Sequence, residues 1–173
     1  KQWPMLAAGY NSLDTVKSKS FQFDGFKINA QFNAGRMTST SAKVDPKSIS
    51  ERKCFLCIEN LPAEQKGILY NDKYIILCNP FPIFPTHFTL TYKEHTPQRI
   101  IDTFSDMLDL SKDLSKYYSV IYNGPRCGAS APDHLHFQAG NKFFMAIDDE
   151  FHQIKNEYGK VIYEDDNLSF YAI

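Results

Sequence analysis

Residues 123–138 read NGPRCGASAPDHLHFQ, a run of turn formers that passes directly into alternating apolar and polar side chains. In an extended strand, residues two apart share a face, so His134, His136 and Gln138 are expected to point one way and Leu135 and Phe137 into a core. Two imidazoles and an amide on one surface suit phosphoryl chemistry. An imidazole whose other ring nitrogen is held as a donor presents a lone pair to phosphorus and forms a covalent intermediate, while fixed donors stabilise charge on the non-bridging oxygens. Gln138 supplies such a donor without changing protonation state, and backbone amides near Gly124 and Gly128–Ser130 are expected to add a small anion-binding nest. For the bare tripeptide His-Leu-His, a solvated sheet face or a pair of satisfied polar residues is the commoner outcome.

Working outward, residues 67–77 alternate around the turn pair Asn71-Asp72, and HFTLTY at 87–92 alternates strictly, so three antiparallel strands are expected there. The connection NPFPIFP at 79–85 carries prolines that cannot donate to a ladder and must be a shaped loop. From Thr96-Pro97 the period changes: Ile100, Ile101, Phe104, Met107, Leu108, Leu114 and Tyr117 recur at helical spacing, with Thr96 as N-cap and Pro97 at the first helical position. Residues 118–122 are β-prone again. The resulting fold class is α+β, an antiparallel sheet of about five strands crossed by one long helix. Ahead of it, Asp24-Gly25 between Phe21, Phe23, Phe26 and Ile28 predicts an amino-terminal hairpin. Residues 1–20 read as a loosely structured arm, and the Ser/Thr-rich stretch 34–50 as an exposed loop. The expected organisation is an amino-terminal arm and hairpin over 1–50 and a catalytic domain over 51–173.

The bulk numbers exclude several classes. With 173 residues, 19 basic against 20 acidic side chains and a formal charge of −1, no global field marks a nucleic-acid or membrane binder, so an anionic ligand must be held locally. No apolar run has the length of a membrane span, and KQWPMLAAGY lacks the layout of a signal peptide. Four unevenly placed cysteines do not make a disulfide scaffold; a reducing, cytoplasmic setting is expected.

The stretch NGPRCGASAPDHLHFQ resembles the signature of the nucleotidyltransferase branch of the histidine-triad (HIT-like) superfamily. That branch includes galactose-1-phosphate uridylyltransferase, diadenosine tetraphosphate phosphorylase and GDP-galactose phosphorylase. Its members carry an Asn, a small Gly-Ala/Cys-Ser turn and then His-x-His-x-Gln, with the second His as nucleophile. The resemblance implies that His136 attacks the α-phosphorus, that Gln138 contacts phosphoryl oxygens, and that Ser130 with Asn123 helps hold the β-phosphate or sugar side. Gln in the third motif position, where the hydrolytic branch has His, points to transfer onto phosphate or sugar phosphate rather than water. Asp133 departs from the pattern, because many relatives pass straight from Pro to the first His. A second stretch, residues 53–97, is similar in layout to the amino-terminal half of small histidine-triad proteins: Cys-x-x-Cys, two strands, a proline-bearing loop, and a strand from Pro-x-His to Lys-x-His.

Cys54 and Cys57 have the spacing of one zinc knuckle, which is half of a tetrahedral set. By resemblance to the zinc-bearing members, His95 and His134 complete a structural Cys2His2 zinc site that also fixes the strand carrying His136. A redox pair and plain buried cysteines stay open as rivals. His87 is expected in the phosphate pocket, with core histidine or reserve ligand as alternatives. Arg36 is a base or phosphate contact by analogy with two-lobed relatives, or a solvated surface arginine. Phe81 and Phe84 are candidates to stack on a base. The implied activity is nucleotidyl transfer from a nucleoside polyphosphate or nucleotide sugar, with phosphate or sugar phosphate as acceptor. A HIT-type hydrolase and a non-catalytic nucleotide-binding lobe are the alternatives, and a homodimer, a second lobe or a truncated chain stays open.

Overall fold

The alternation over residues 67–92 builds three neighbouring strands: β3 (Gly67–Tyr70), β4 (Tyr74–Cys78) and β5 (His87–Tyr92) follow a short helix and an amino-terminal hairpin. The computed structural model of the chain describes residues 3–37, 41–166 and 169–172. In chain order the earlier elements are α1 (Pro4–Asn11), β1 (Lys17–Gln22), β2 (Lys27–Phe32) and α2 (Pro46–Glu51). The later ones are α3 (Phe104–Leu114), β6 (Tyr118–Ile121), β7 (His136–Asn141), α4 (Ala146–Tyr158), β8 (Lys160–Glu164) and β9 (Ser169–Ala172). Two compact units result: residues 1–16 with 33–141, and residues 17–32 with 142–173.

The first unit holds a five-stranded antiparallel sheet in the order β3-β4-β5-β7-β6, the expected α+β class. Asn71 and Asp72 turn β3 into β4 with φ of 49° and 54°, a left-handed conformation that short polar side chains tolerate. One face of the sheet is apolar. Leu90 pairs with Phe137 across β5 and β7, and with Tyr74, Ala139 and Leu110 of α3 they form the core. Full burial of a Leu or Phe side chain contributes about 1.5–3 kcal/mol, so this layer anchors β7 as an interior strand. Alternation then sends the intervening residues to the other face, where His87, Thr89 and Thr91 of β5 lie opposite Gly140, Gln138 and His136 of β7. That polar face carries the candidate site.

The helix begins later than its apolar period predicts, at Phe104 rather than after Thr96. Thr96 is not its N-cap, because residues 96–98 run alongside the approach to β7. The Thr96 carbonyl accepts from the Leu135 N–H at 2.7 Å, a bond that a helical turn would withdraw. The strand after the glycine-rich loop also starts late, at His136. His134 therefore does not share the strand face with His136 and Gln138 as the alternation implied. It sits in a bend whose N–H donates to Ala131 O at 3.3 Å.

Two stretches read as irregular are ordered. Residues 4–11 form α1, with Pro4 at the helix start. This helix docks by backbone contact: a Cβ on Gly9 would stand 2.0 Å from the Pro80 carbonyl oxygen. Within 34–50, α2 is capped by the Asp45 side chain, which accepts from Ser48 N–H at 3.0 Å; residues 38–40 of that stretch lie outside the described ones.

In the second unit the expected hairpin is present, β1 pairing β2 around Asp24-Gly25, with Gly25 at φ 80°. Lys27 ties it to α4 through its N–H to Glu150 and its ammonium to Asp149, both at 2.6 Å. The strands β8 and β9 form a second antiparallel pair. Among the described residues, no helix is long and apolar enough to cross a membrane.

Candidate active site and metal centre

His136 opens β7 and is almost wholly buried, at 4% exposure. Its Nδ1 lies 2.8 Å from the His134 carbonyl oxygen. A carbonyl only accepts, so Nδ1 carries the proton and Nε2 keeps its lone pair. Burial pushes the imidazole pKa down, with the His134 carbonyl opposing, so the ring is neutral near pH 7.

The same logic sets the orientation of Gln138. The Ile83 N–H donates to His87 Nδ1 at 3.1 Å, which leaves His87 Nε2 to carry the proton. That Nε2–H donates to Gln138 Oε1 at 2.8 Å, and the Gln138 amide therefore presents its NH2 end away from His87. Burial pushes the His87 imidazole down to about 4, with the Gln138 hydrogen bond opposing and the Arg36 charge adding to the fall. His87 is thus a neutral orienting group, held also by Tyr10 of α1, whose hydroxyl meets His87 O at 3.2 Å and His87 N–H at 3.1 Å.

His136 and Gln138 line a cavity of about 410 Å³ together with Thr89, Asn79, Ser130 and Ala131. Its remaining walls are largely apolar: Trp3 and Met5 at the start of the chain, Phe55, Leu56, Leu61, Leu77 and Phe81. The floor thus offers a neutral imidazole lone pair and an amide NH2 under apolar walls, a combination able to receive an electrophilic phosphoryl group attached to a flat organic group.

Beside this cavity, the ligand atoms of Cys54, Cys57, His95 and His134 all lie within 4.8 Å of one another. Cys54 Sγ is 3.3 Å from His134 Nδ1, and Cys57 Sγ is 3.2 Å from His95 Nδ1. A tetrahedral ion with bonds of about 2.3 Å to sulfur and about 2.0 Å to nitrogen sets ligand separations of roughly 3.3–3.8 Å. The donor set therefore fits one metal ion. His134 Nε2–H donates to Tyr92 O at 2.8 Å, which fixes the tautomer that offers Nδ1 to the cysteines. Burial pushes both thiols up. At Cys54 the contact with His134 and the Leu56 N–H outweigh burial and leave the thiol well below its ordinary value, whereas Cys57, beside Cys54, stays well above it. A cation would relieve that like-charge conflict.

Most residues expected from the sequence converge. Gly128, at φ 89°, sits in the turn that leads to Ser130, and the Asn123 carbonyl accepts from Gln98 Nε2 at 2.9 Å. Arg36, in the 3-10 turn Ala34–Arg36, is near enough to depress His87. Asp133, the departure from the family pattern, pairs with Arg52 at 2.5 Å and ties the approach to the cysteine knuckle to the histidine bend. Phe81 lines the cavity but Phe84 does not. Its ring packs over Gly140 and edge-on against His87, at 5.0 Å between centroids. Three participants were missed: Trp3, Tyr10 and Gln98. Trp3 and Tyr10 belong to a short segment without a steady period, and Gln98 fell inside an apparent helix.

The five-stranded antiparallel sheet, with a histidine and a glutamine on its polar face beside a Cys2His2 cluster, has a HIT-like α+β fold. The chain belongs to the family described as Domain of unknown function (DUF4922), which matches residues 1–141. Among solved structures it is similar to yeast Ap4A phosphorylase Apa2, at 18% identity, covering 95% of this chain and 54% of that one with a TM-score of 0.50. The complex of that enzyme with AMP matches at 20% identity, covering 95% and 56%, with a TM-score of 0.51. A HIT family hydrolase from Clostridium thermocellum matches at 24% identity over 50% of this chain and 85% of its own, with a TM-score of 0.36. The chain thus spans about half the length of the Apa2 chains. No curated protein matches it in sequence.

Proposed function

We propose that this protein is a nucleotidyltransferase or phosphorylase that works through a nucleotidyl-His136 intermediate. The observation that carries the reading is the clamp on Nδ1 by the His134 carbonyl, which reserves the Nε2 lone pair of a cavity-lining imidazole. In the first step Nε2 attacks the α-phosphorus of the donor, the N–P bond forms, and the P–O bond to the leaving nucleoside polyphosphate or sugar phosphate breaks. In the second step an oxygen of the acceptor attacks the same phosphorus, the N–P bond breaks, and the His136 lone pair is restored. The NH2 of Gln138 donates to the non-bridging oxygens where charge builds, assisted by the loop residues Gly128 and Ser130. Asn123 lies at the start of that loop, and Arg36 supplies positive charge to the anionic ligand.

An anionic acceptor fits better than water. On the face around His136, His87 has both nitrogens engaged, and Gln138, Thr89 and Thr91 do not titrate near neutrality. Water would need a general base; inorganic phosphate or a sugar phosphate arrives already ionised. The apolar walls with Phe81 are suited to the base of a nucleotide. Likeness to an Ap4A phosphorylase, seen also with AMP, supports testing dinucleoside polyphosphates first among donors, with nucleotide sugars next.

Zinc is the ion best matched to two cysteines and two histidines, held by Cys54, Cys57, His95 and His134. A closed four-ligand shell leaves no place for a catalytic water, so its part is structural, anchoring the bend that supplies the carbonyl for His136.

The test is a donor panel labelled in the α-phosphate, with and without phosphate. Wild-type protein is expected to retain label covalently and to release nucleotide only when phosphate or sugar phosphate is added, whereas His136→Gly retains none. Label that persists in His136→Gly would sink the assignment. Release of mononucleotide without phosphate would replace it by hydrolysis.

A further inference from the structure

We propose that Gln98 is the positioning residue for His136: its carboxamide stands in for a missing strand partner and sets the rate of nucleotidyl uptake without touching the nucleotide. The inference rests on His136 being the nucleophile. Strand β6 pairs with β7 only as far as Ile121 opposite Gln138. Continuing that register would place Asn123 opposite His136, the pair that would satisfy the nucleophile's own peptide groups. The pair is absent, and the Gln98 side chain occupies its place.

Gln98 Oε1 accepts the His136 N–H at 2.7 Å, and Gln98 Nε2 donates to the His136 carbonyl at 2.9 Å. The second hydrogen of the same NH2 goes to the Asn123 carbonyl at 2.9 Å. One amide group therefore reproduces a ladder step toward β7 and reaches across to the chain end that should have made it. The backbone of Gln98 completes the wedge. Its N–H donates to Pro132 O at 3.2 Å and its carbonyl accepts from the Tyr122 hydroxyl at 2.9 Å. Both ends of the loop 123–132 and the nucleophile thus meet on one residue that is fully buried. Gln98 is not part of the cavity wall, so it acts through His136 and the loop.

Removing this amide leaves two peptide groups of the nucleophile without partners in a dry site. His136 and the carbonyl that holds its Nδ1 then drift together, which misaligns Nε2 while the walls that grip the base stay in place.

The experiment compares wild type, Gln98→Glu and Gln98→Leu by rapid-mix labelling of His136 and by nucleotide titration followed through Trp3, the sole tryptophan of the chain and a cavity-lining residue. At saturating donor, Gln98→Leu is expected to slow labelling by about tenfold to a hundredfold, with nucleotide affinity within about threefold of wild type. Gln98→Glu, which keeps the acceptor for His136 N–H but loses both donations, falls between and serves if Gln98→Leu does not fold. A wild-type labelling rate, or a loss of affinity equal to the loss of rate, would overturn the proposal. If wild-type protein takes up no label, the nucleophile reading fails instead. The wedge is then judged by the ¹⁵N signature of the His136 ring. A single Nδ1–H tautomer in wild type and a mixture in Gln98→Leu supports it, and identical signatures refute it.

Discussion

Acidification should unlock His87, and the size of the effect follows from the burial of its ring. Nδ1 accepts from Ile83 N–H and Nε2–H donates to Gln138. A second proton would set two donors facing each other at Nδ1, in a residue only 1% exposed. Burial, with a smaller push from the Arg36 charge and against the Gln138 hydrogen bond, brings its pKa from 6.5 to about 4 in the folded protein. At about 1.4 kcal/mol per pH unit, that gap is worth about 3 kcal/mol. The sign follows from proton counting. Between pH 6.5 and 4 the unfolded chain binds a proton at this position that the folded chain refuses. The stabilisation is complete above pH 6.5, drains away as the pH falls, and is gone near pH 4. Urea denaturation of wild type and His87→Gln at half-unit steps from pH 7 to 4 reads it directly, because groups common to both proteins, including the cysteine and histidine cluster, cancel in the difference. The wild-type advantage should shrink by about 3 kcal/mol across that range. A difference that stays constant with pH would refute the reasoning.

Two further outcomes are expected. Cys54→Ser and His134→Ala should each lower bound zinc and stability; because Phe55 and Leu56 lie between the two cysteines and line the cavity, chelation should also weaken nucleotide binding seen by Trp3 fluorescence. Unchanged metal content on elemental analysis would remove the metal proposal. Gly140→Ala would put a Cβ 2.5 Å from the Phe84 ring and should cost about 1–3 kcal/mol as that ring shifts, measured by thermal unfolding; an unchanged midpoint would show that Phe84 moves freely.

Local pattern was enough for much of the first unit. Period-two alternation located β3, β4 and β5, because a sheet with one apolar and one polar face writes itself into adjacent residues. Asn71-Asp72 and Asp24-Gly25 announced their turns for the same reason: left-handed backbone is tolerated by few side chains. Where alternation was extended to His134 it misled, since a strand ends wherever its backbone groups find other partners. The apolar period after Thr96 likewise described the side chains that reach the core, yet Thr96 gave its carbonyl to Leu135 and Gln98 its side chain to His136 and Asn123.

From the sequence alone, then, came the residues to which the proposed chemistry is assigned: His136, Gln138, and a cysteine pair awaiting two histidines. Their states belonged to the tertiary structure. Which nitrogen of His136 holds its proton depends on the His134 carbonyl, which end of Gln138 faces away from His87 depends on Ile83, and the separation of His134 beside the cysteines from His136 on the cavity wall depends on a bend between them. The physical reason is the same in each case. A side chain's identity is covalent and local, whereas its tautomer and orientation are set by hydrogen-bond partners that only folding brings within 3 Å or so.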